Sequence, residues 1–157
     1  MTPLPPAPLW RRFAALGYDL LLLIALVMIT TGLLITLYNT LGLPMEDRGG
    51  IERPPQWVLQ GILLPILLLE IWAFYAWFWL HGGQTLGMRA WRIQVQAVGG
   101  ESLRLKHTLL RFSAGLLTWI ILGAGYLLAL FPPRQTLHDR LSGTCTLTLP
   151  KPPKARK

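Results

Sequence analysis

"WRRFAALGYDLLLLIAL", Trp10 to Leu26, decides how the rest of the chain is read. Two arginines lead into an apolar run that continues to Tyr38. That is longer than the roughly 20 residues a helix needs to cross the hydrocarbon core of a bilayer. Seven residues after Arg12, Asp19 interrupts the run. Ionisable groups inside membrane helices are rare and face a bundle interior or a wet cavity rather than lipid. The stretch therefore predicts a first membrane span over 13–38, preceded by a short segment over 1–12. The proline-rich start, the length of the apolar run and the lack of an A-x-A-type site argue against a cleaved signal.

The bulk composition agrees. The chain has 157 residues, 52% hydrophobic and only 14% charged, with a mean hydropathy of +0.43. This is too apolar for a soluble domain of that size. The net charge of +8 raises nucleic-acid binding, but the positive charges flank the apolar blocks as they do in membrane proteins. No nucleic-acid partner is expected. The single cysteine, Cys145, excludes an intrachain disulfide or a CxxC zinc site. The three histidines have no metalloprotease spacing, and no nucleophile elbow is present. Neither an enzyme nor a metal or other cofactor is expected.

A second span is predicted over 57–80, with Trp57 at one end, Trp77 and Trp79 at the other, and Pro65 as a kink. Glu70 is the one charged residue inside it. The intervening loop is rich in Gly, Pro and mixed charges. Residues 91–97 and 144–149 alternate with period two and predict two strands. Between them, Arg104, His107, Thr108 and Arg111 share one face of an amphipathic helix, and an apolar stretch runs on to Phe131. The tail, 150–157, is basic and proline-rich, and is expected to be disordered.

Charge placement bears on the topology. If 102–131 crosses the membrane once, Lys and Arg divide almost evenly, seven against eight. If it enters and returns as a helical hairpin or re-entrant pair, 13 lie on one side and two on the other. The second distribution fits the positive-inside tendency, and it lets the two strands pair on one side. The expected break is near Gly115–Trp119 or Gly123–Gly125. A single span is the competing reading, since Phe112 to Phe131 is long enough to cross. The expected fold is thus an all-α membrane bundle. It has two long transmembrane helices, a third hydrophobic region over 102–131, and a short two-stranded cytoplasmic cap, with both termini cytoplasmic.

By helical rise Asp19 lies about 10 Å from Arg12, and Glu70 about 16 Å from the inner surface marked by His81. Arg12, Glu70 and Arg111 are therefore candidate neighbours of Asp19. Two readings stand side by side: the carboxylates exchange protons or bind a monovalent cation, or they are structural, with Asp19 locked to an arginine.

Three segments together resemble the RDD family of bacterial membrane proteins, named for one arginine and two aspartates. "RRFAALGYDLLLL" matches with Arg12, or Arg11 in its place, and Asp19. "GGQTLGMRAWRIQV" resembles its G-x-T-L-G-x-R segment, and "RQTLHDRLSGTCTL" its closing L-H-D segment, placing the second aspartate at Asp139. The resemblance covers roughly residues 9–149 and implies an inner-membrane protein with a suggested role in transport, including cation/proton exchange, with Asp19 as the titrating group. The alternative is a non-catalytic accessory or scaffold protein. A homo-oligomer or a membrane partner is expected in either case. With the topology above, the resemblance also implies an Arg12–Asp139 salt bridge at the mouth of the first span.

Overall fold

The computed structural model describes residues 4–47 and 49–151. The last six residues of the expected disordered tail lie outside that range. The fold is mostly helical, with two helices long and apolar enough to cross a membrane. The first, α1, runs Leu9–Thr40, about 48 Å at 1.5 Å per residue. It begins four residues before the predicted span because the Pro8 carbonyl accepts from the amides of Arg11 and Arg12 and so closes the first turn. The second, α2, runs Gln56–Leu80. The disruption expected at Pro65 takes the form of a π-helical turn over Leu59–Leu63, just ahead of it. A proline lacks the donor that would continue the α ladder, and the widened turn absorbs the mismatch.

Two small antiparallel sheets complete the architecture. The loop between the long helices holds a hairpin the sequence did not announce, β1 (Glu46–Asp47) with β2 (Glu52–Arg53). Two residues per strand are too few to show a period. The predicted pair is present as β3 (Ile93–Ala97) and β4 (Thr144–Thr148), joined antiparallel with Val95 opposite Thr146. Trp91 and Arg92 fall in a turn rather than in the strand, with Arg92 at φ 53°. Along the other edge of β4 the N-terminal segment is pinned by Ala7 N–H to the Thr146 carbonyl and Thr148 N–H to the Pro5 carbonyl. Two five-residue helices precede the strands: α3 (Leu86–Ala90) before β3 and α6 (Leu137–Leu141) before β4.

The third hydrophobic region is two helices, α4 (Leu105–Ile120) and α5 (Ala124–Leu130), bent by 110° at the break. Of the two expected break points the second is used, with Gly123 at φ 79°. The amphipathic face of α4 is inverted relative to a water-soluble helix: Thr108, Arg111, Ala114 and Thr118 are buried, whereas Leu105, Leu109, Leu117 and Ile120 are exposed.

The described residues form two compact units. One contains the chain up to Asp19 and from Phe74 onward; the other contains Leu20–Ala73. In the first, the best-buried side chains are more often polar than apolar: Ile93 and Val95 are joined by Thr85, Thr108, Thr118, Thr136, Thr144, Asp19 and Asp139, while large aliphatics stand outside. Exposed aliphatics over a polar interior are what hydrocarbon as solvent selects. In the second unit Glu70 accepts from Thr30 Oγ1 at 2.5 Å, and its other carboxylate oxygen is buried without a partner among the described residues.

Candidate functional site

The polar groups of the first unit form two clusters. In the larger, Asp139 sits at the third position of α6. Its backbone N–H donates to Thr136 Oγ1, and its Oδ2 accepts from the Thr136 N–H at 3.2 Å, a reciprocal cap for the helix. The same carboxylate takes a guanidinium on each oxygen: Arg12 on Oδ2 and Arg111 on Oδ1, each at 2.5 Å. Thr146 Oγ1 also donates to Oδ1, at 3.0 Å. Asp139 is fully buried, and both arginines are at least nine-tenths buried.

The arginines spend their remaining donors locally. Arg12 Nε reaches the Ala7 carbonyl at 3.0 Å, and its Nη2 the Arg134 and Thr146 carbonyls at 3.3 and 3.4 Å. Arg111 Nη1 donates to Thr144 Oγ1 at 2.6 Å and Nη2 to Thr146 Oγ1 at 3.0 Å, while its guanidinium lies over the Trp79 ring. The expected Arg12–Asp139 salt bridge is therefore present, and Arg111, expected near Asp19, is its third member. A buried charge is tolerated when it is paired and hydrogen-bonded all round.

Burial alone would raise the Asp139 pKa. Arg111 and Arg12 overcome that and hold it well below the usual carboxylate range. Beside it His138 is driven the other way. Its burial, and next the charge of Arg111, push it from 6.5 down to about 3, so the ring is neutral at physiological pH. Its Nδ1 has no hydrogen-bond partner among the described residues. The consequence for stability follows by linkage. Between about pH 6.5 and 3 the unfolded chain takes up a proton on His138 that the folded chain does not, so stability is complete above that window and falls as pH falls through it. Asp139 adds loss in the same direction at lower pH. Thermal unfolding of detergent-solubilised protein should show this slope, and His138→Leu should flatten it between about pH 6.5 and 3. An unchanged slope would assign the acid lability elsewhere.

The smaller cluster is built on Asp19, also fully buried. Its two oxygens accept from Thr85 Oγ1 at 2.5 Å and from the Gly87 N–H at 2.9 Å. Thr85 is the N-cap of α3 and its hydroxyl also accepts from the Met88 N–H. Asp19 thus closes the N-terminus of a five-residue helix in another part of the chain. The expected arginine lock on Asp19 is replaced by this arrangement: Arg12 and Arg111 are engaged by Asp139 instead. The close approach requires glycine. A Cβ at Gly87 would collide with the Ala15 carbonyl oxygen and lie 2.9 Å from Asp19 Oδ1.

Of the sequence-derived candidates, the structure brings Arg12, Arg111 and Asp139 together and gives Asp19 to Thr85 and Gly87; Glu70 is bonded to Thr30. Thr85 and Gly87 stand in the G-x-T-L-G-x-R segment, but the sequence does not mark them as partners of Asp19, and Thr144 and Thr146 read only as strand positions. Threonine hydroxyls and a backbone N–H carry no charge signature, although a T-L-G run after two glycines is a usable N-cap signal.

A family model described as the RDD family matches residues 6–143. No curated protein and no solved structure matches the chain.

Proposed function

The chain belongs to the RDD family, and from that premise we propose that it is a membrane accessory or scaffold protein. In this reading its buried charges fasten the two-stranded cap to the start of the first helix, and they do not carry ions. The cap and both termini face the cytoplasm of a bacterial inner membrane, and the loop between the long helices faces outside. The distribution of Lys and Arg supports that orientation. Reporters placed at Gly50 and after Lys157 should report opposite sides; the same side for both would overturn it.

The observation that carries the structural reading is Asp19. Both its oxygens are occupied by donors from a helix whose backbone rests on Ala15. A group that loads and releases a proton or cation in each cycle would have to break that contact every time. In proteoliposomes, wild type and Asp19→Asn should be alike in showing no proton-coupled cation flux above protein-free vesicles. Crosslinking in native membranes should capture an unrelated partner in fixed ratio. Flux that Asp19→Asn abolishes without loss of folded protein would overturn the proposal.

A second reading, cation/proton exchange, is favoured by a different residue. Glu70 lies in an apolar helix with one oxygen buried and unpartnered among the described residues, the kind of group that membrane proton and cation paths use. On that reading Glu70→Gln, rather than Asp19→Asn, abolishes flux.

A further inference from the structure

We propose that the chain is an internal duplication about a pseudo-two-fold axis through the Val95–Thr146 pair. In it α4–α5 is the shortened counterpart of α1–α2, an apolar hairpin that enters the bilayer from the cap side and turns within the hydrocarbon. This deepens the membrane reading above and rests on it.

Gln84-Thr85-Leu86 and Gln135-Thr136-Leu137 begin two segments that correspond at a constant offset. Helix α3 begins at 86 and α6 at 137, strand β3 at 93 and β4 at 144, so each element of the second set lies 51 positions after the first. In both, the N-cap threonine hydroxyl accepts from the N–H three residues on, Met88 in one and Asp139 in the other.

Backbone details follow the same offset. Gly83 and Arg134, at φ 70° and 61°, are both left-handed, and so are Arg92 and Gly143, at 53° and 62°. A non-glycine residue in that region is uncommon, and here each one stands where the other copy has glycine. The hydrogen bonds that close the sheet are mutual images: Val98 N–H to the Gly143 carbonyl at 3.0 Å and Leu149 N–H to the Arg92 carbonyl at 2.8 Å. The strand register is symmetric about Val95 opposite Thr146, which are themselves 51 positions apart.

The helices ahead of these segments extend the correspondence. Arg12-Phe13-Ala14-Ala15 in α1 is matched by Arg111-Phe112-Ser113-Ala114 in α4. Ala15 and Ala114 are both buried, and the two arginines take the two oxygens of one carboxylate. Seven residues on, Asp19 corresponds to Thr118, and both are buried. Each copy therefore leaves the ion cluster along a helix that carries an Arg-Phe pair and comes back to a left-handed residue, a threonine-capped helix and a strand.

The copies differ in the length of the excursion. In the first, two helices are each long and apolar enough to cross a membrane. In the second, α4 has 16 residues, about 24 Å, short of the roughly 30 Å hydrocarbon core, before the bend. The bend is apolar and bare: Ile120 and Ile121 are exposed, and Leu122 is 97% exposed. Because β3 and β4 are one sheet, the chain leaving Ala97 must come back to the same place at Thr144. The partner of this tip is the hydrocarbon of the leaflet next to the cap.

The test uses the lone cysteine. In a Cys145→Ser background, Gly50→Cys, Gly99→Cys and Leu122→Cys are labelled in sealed vesicles of each orientation with a membrane-impermeant maleimide. Gly99→Cys should react from one side and Gly50→Cys from the other. Leu122→Cys should react from neither until the protein is denatured, with Ile121→Cys as a second tip position. Tip labelling from the Gly50 side would mean that the bent pair spans the membrane; labelling from the Gly99 side would mean that it lies on the surface. Either overturns the proposal. The Gly50 and Gly99 controls read the side of the cap independently, so a wrong orientation and a wrong hairpin are told apart.

Discussion

Asp139→Asn should leave little folded protein. The substitution keeps the side chain's volume and removes only its charge, so two buried guanidiniums are left facing a neutral amide. Breaking one buried ion pair from one side costs about 3–5 kcal/mol, and here one change breaks two. Set against the roughly 5–15 kcal/mol of a whole fold, that is most of the available stability. The expected readout is loss of the monodisperse peak when detergent-solubilised protein is sized by chromatography. Replacing the arginines instead should cost less, because each removal leaves Asp139 with one partner. If Asp139→Asn matches wild type in yield and unfolding midpoint, the ion cluster does not hold the cap.

Gly87→Ala should be nearly as damaging although it adds one methyl group. That methyl would meet the Ala15 carbonyl and Asp19 Oδ1, so α3 must retreat from α1. Overpacking of this kind costs about 1–3 kcal/mol. The retreat also stretches the Gly87 N–H bond to Asp19, and a hydrogen bond to a charged group contributes about 1.5–3 kcal/mol. Gly17→Ala is the control, since a Cβ there meets nothing within 4 Å. It should be neutral, or stabilise by up to about 1 kcal/mol through helix propensity. Equal unfolding midpoints for Gly87→Ala and Gly17→Ala would remove the case for a close contact at Asp19.

What the sequence made legible follows from signal length. The long helices announce themselves by 20 or more apolar residues, and the 93–97 and 144–148 strands by alternation. The family resemblance, with the charge count, leads to the Arg12–Asp139 pair. The short helices at 86–90 and 137–141 were missed because five residues hold little more than one helical period. The partners of Asp19 were missed for the same reason, since they belong to the cap of one of those helices. The sequence places Arg111 on one helix face with Arg104 and His107, as a candidate neighbour of Asp19. Its assignment to Asp139 depends on β4 bringing Thr144 and Thr146 beneath it, which no local pattern encodes. The offset that relates 84–97 to 135–148 is visible in the sequence as QTL…R twice, but only the matching φ angles and strand register give it meaning.

One carboxylate joins the first helix to the cap, and a double-mutant cycle on Arg12→Ala and Asp139→Ala measures that link. Folded yield of both single variants and the double variant, relative to wild type, would be read from the monodisperse peak in detergent. Strong coupling is expected: the double variant should lose less folded protein than the two single losses combined, as residues in contact do. Additive losses would mean that the two residues act independently and would contradict the link.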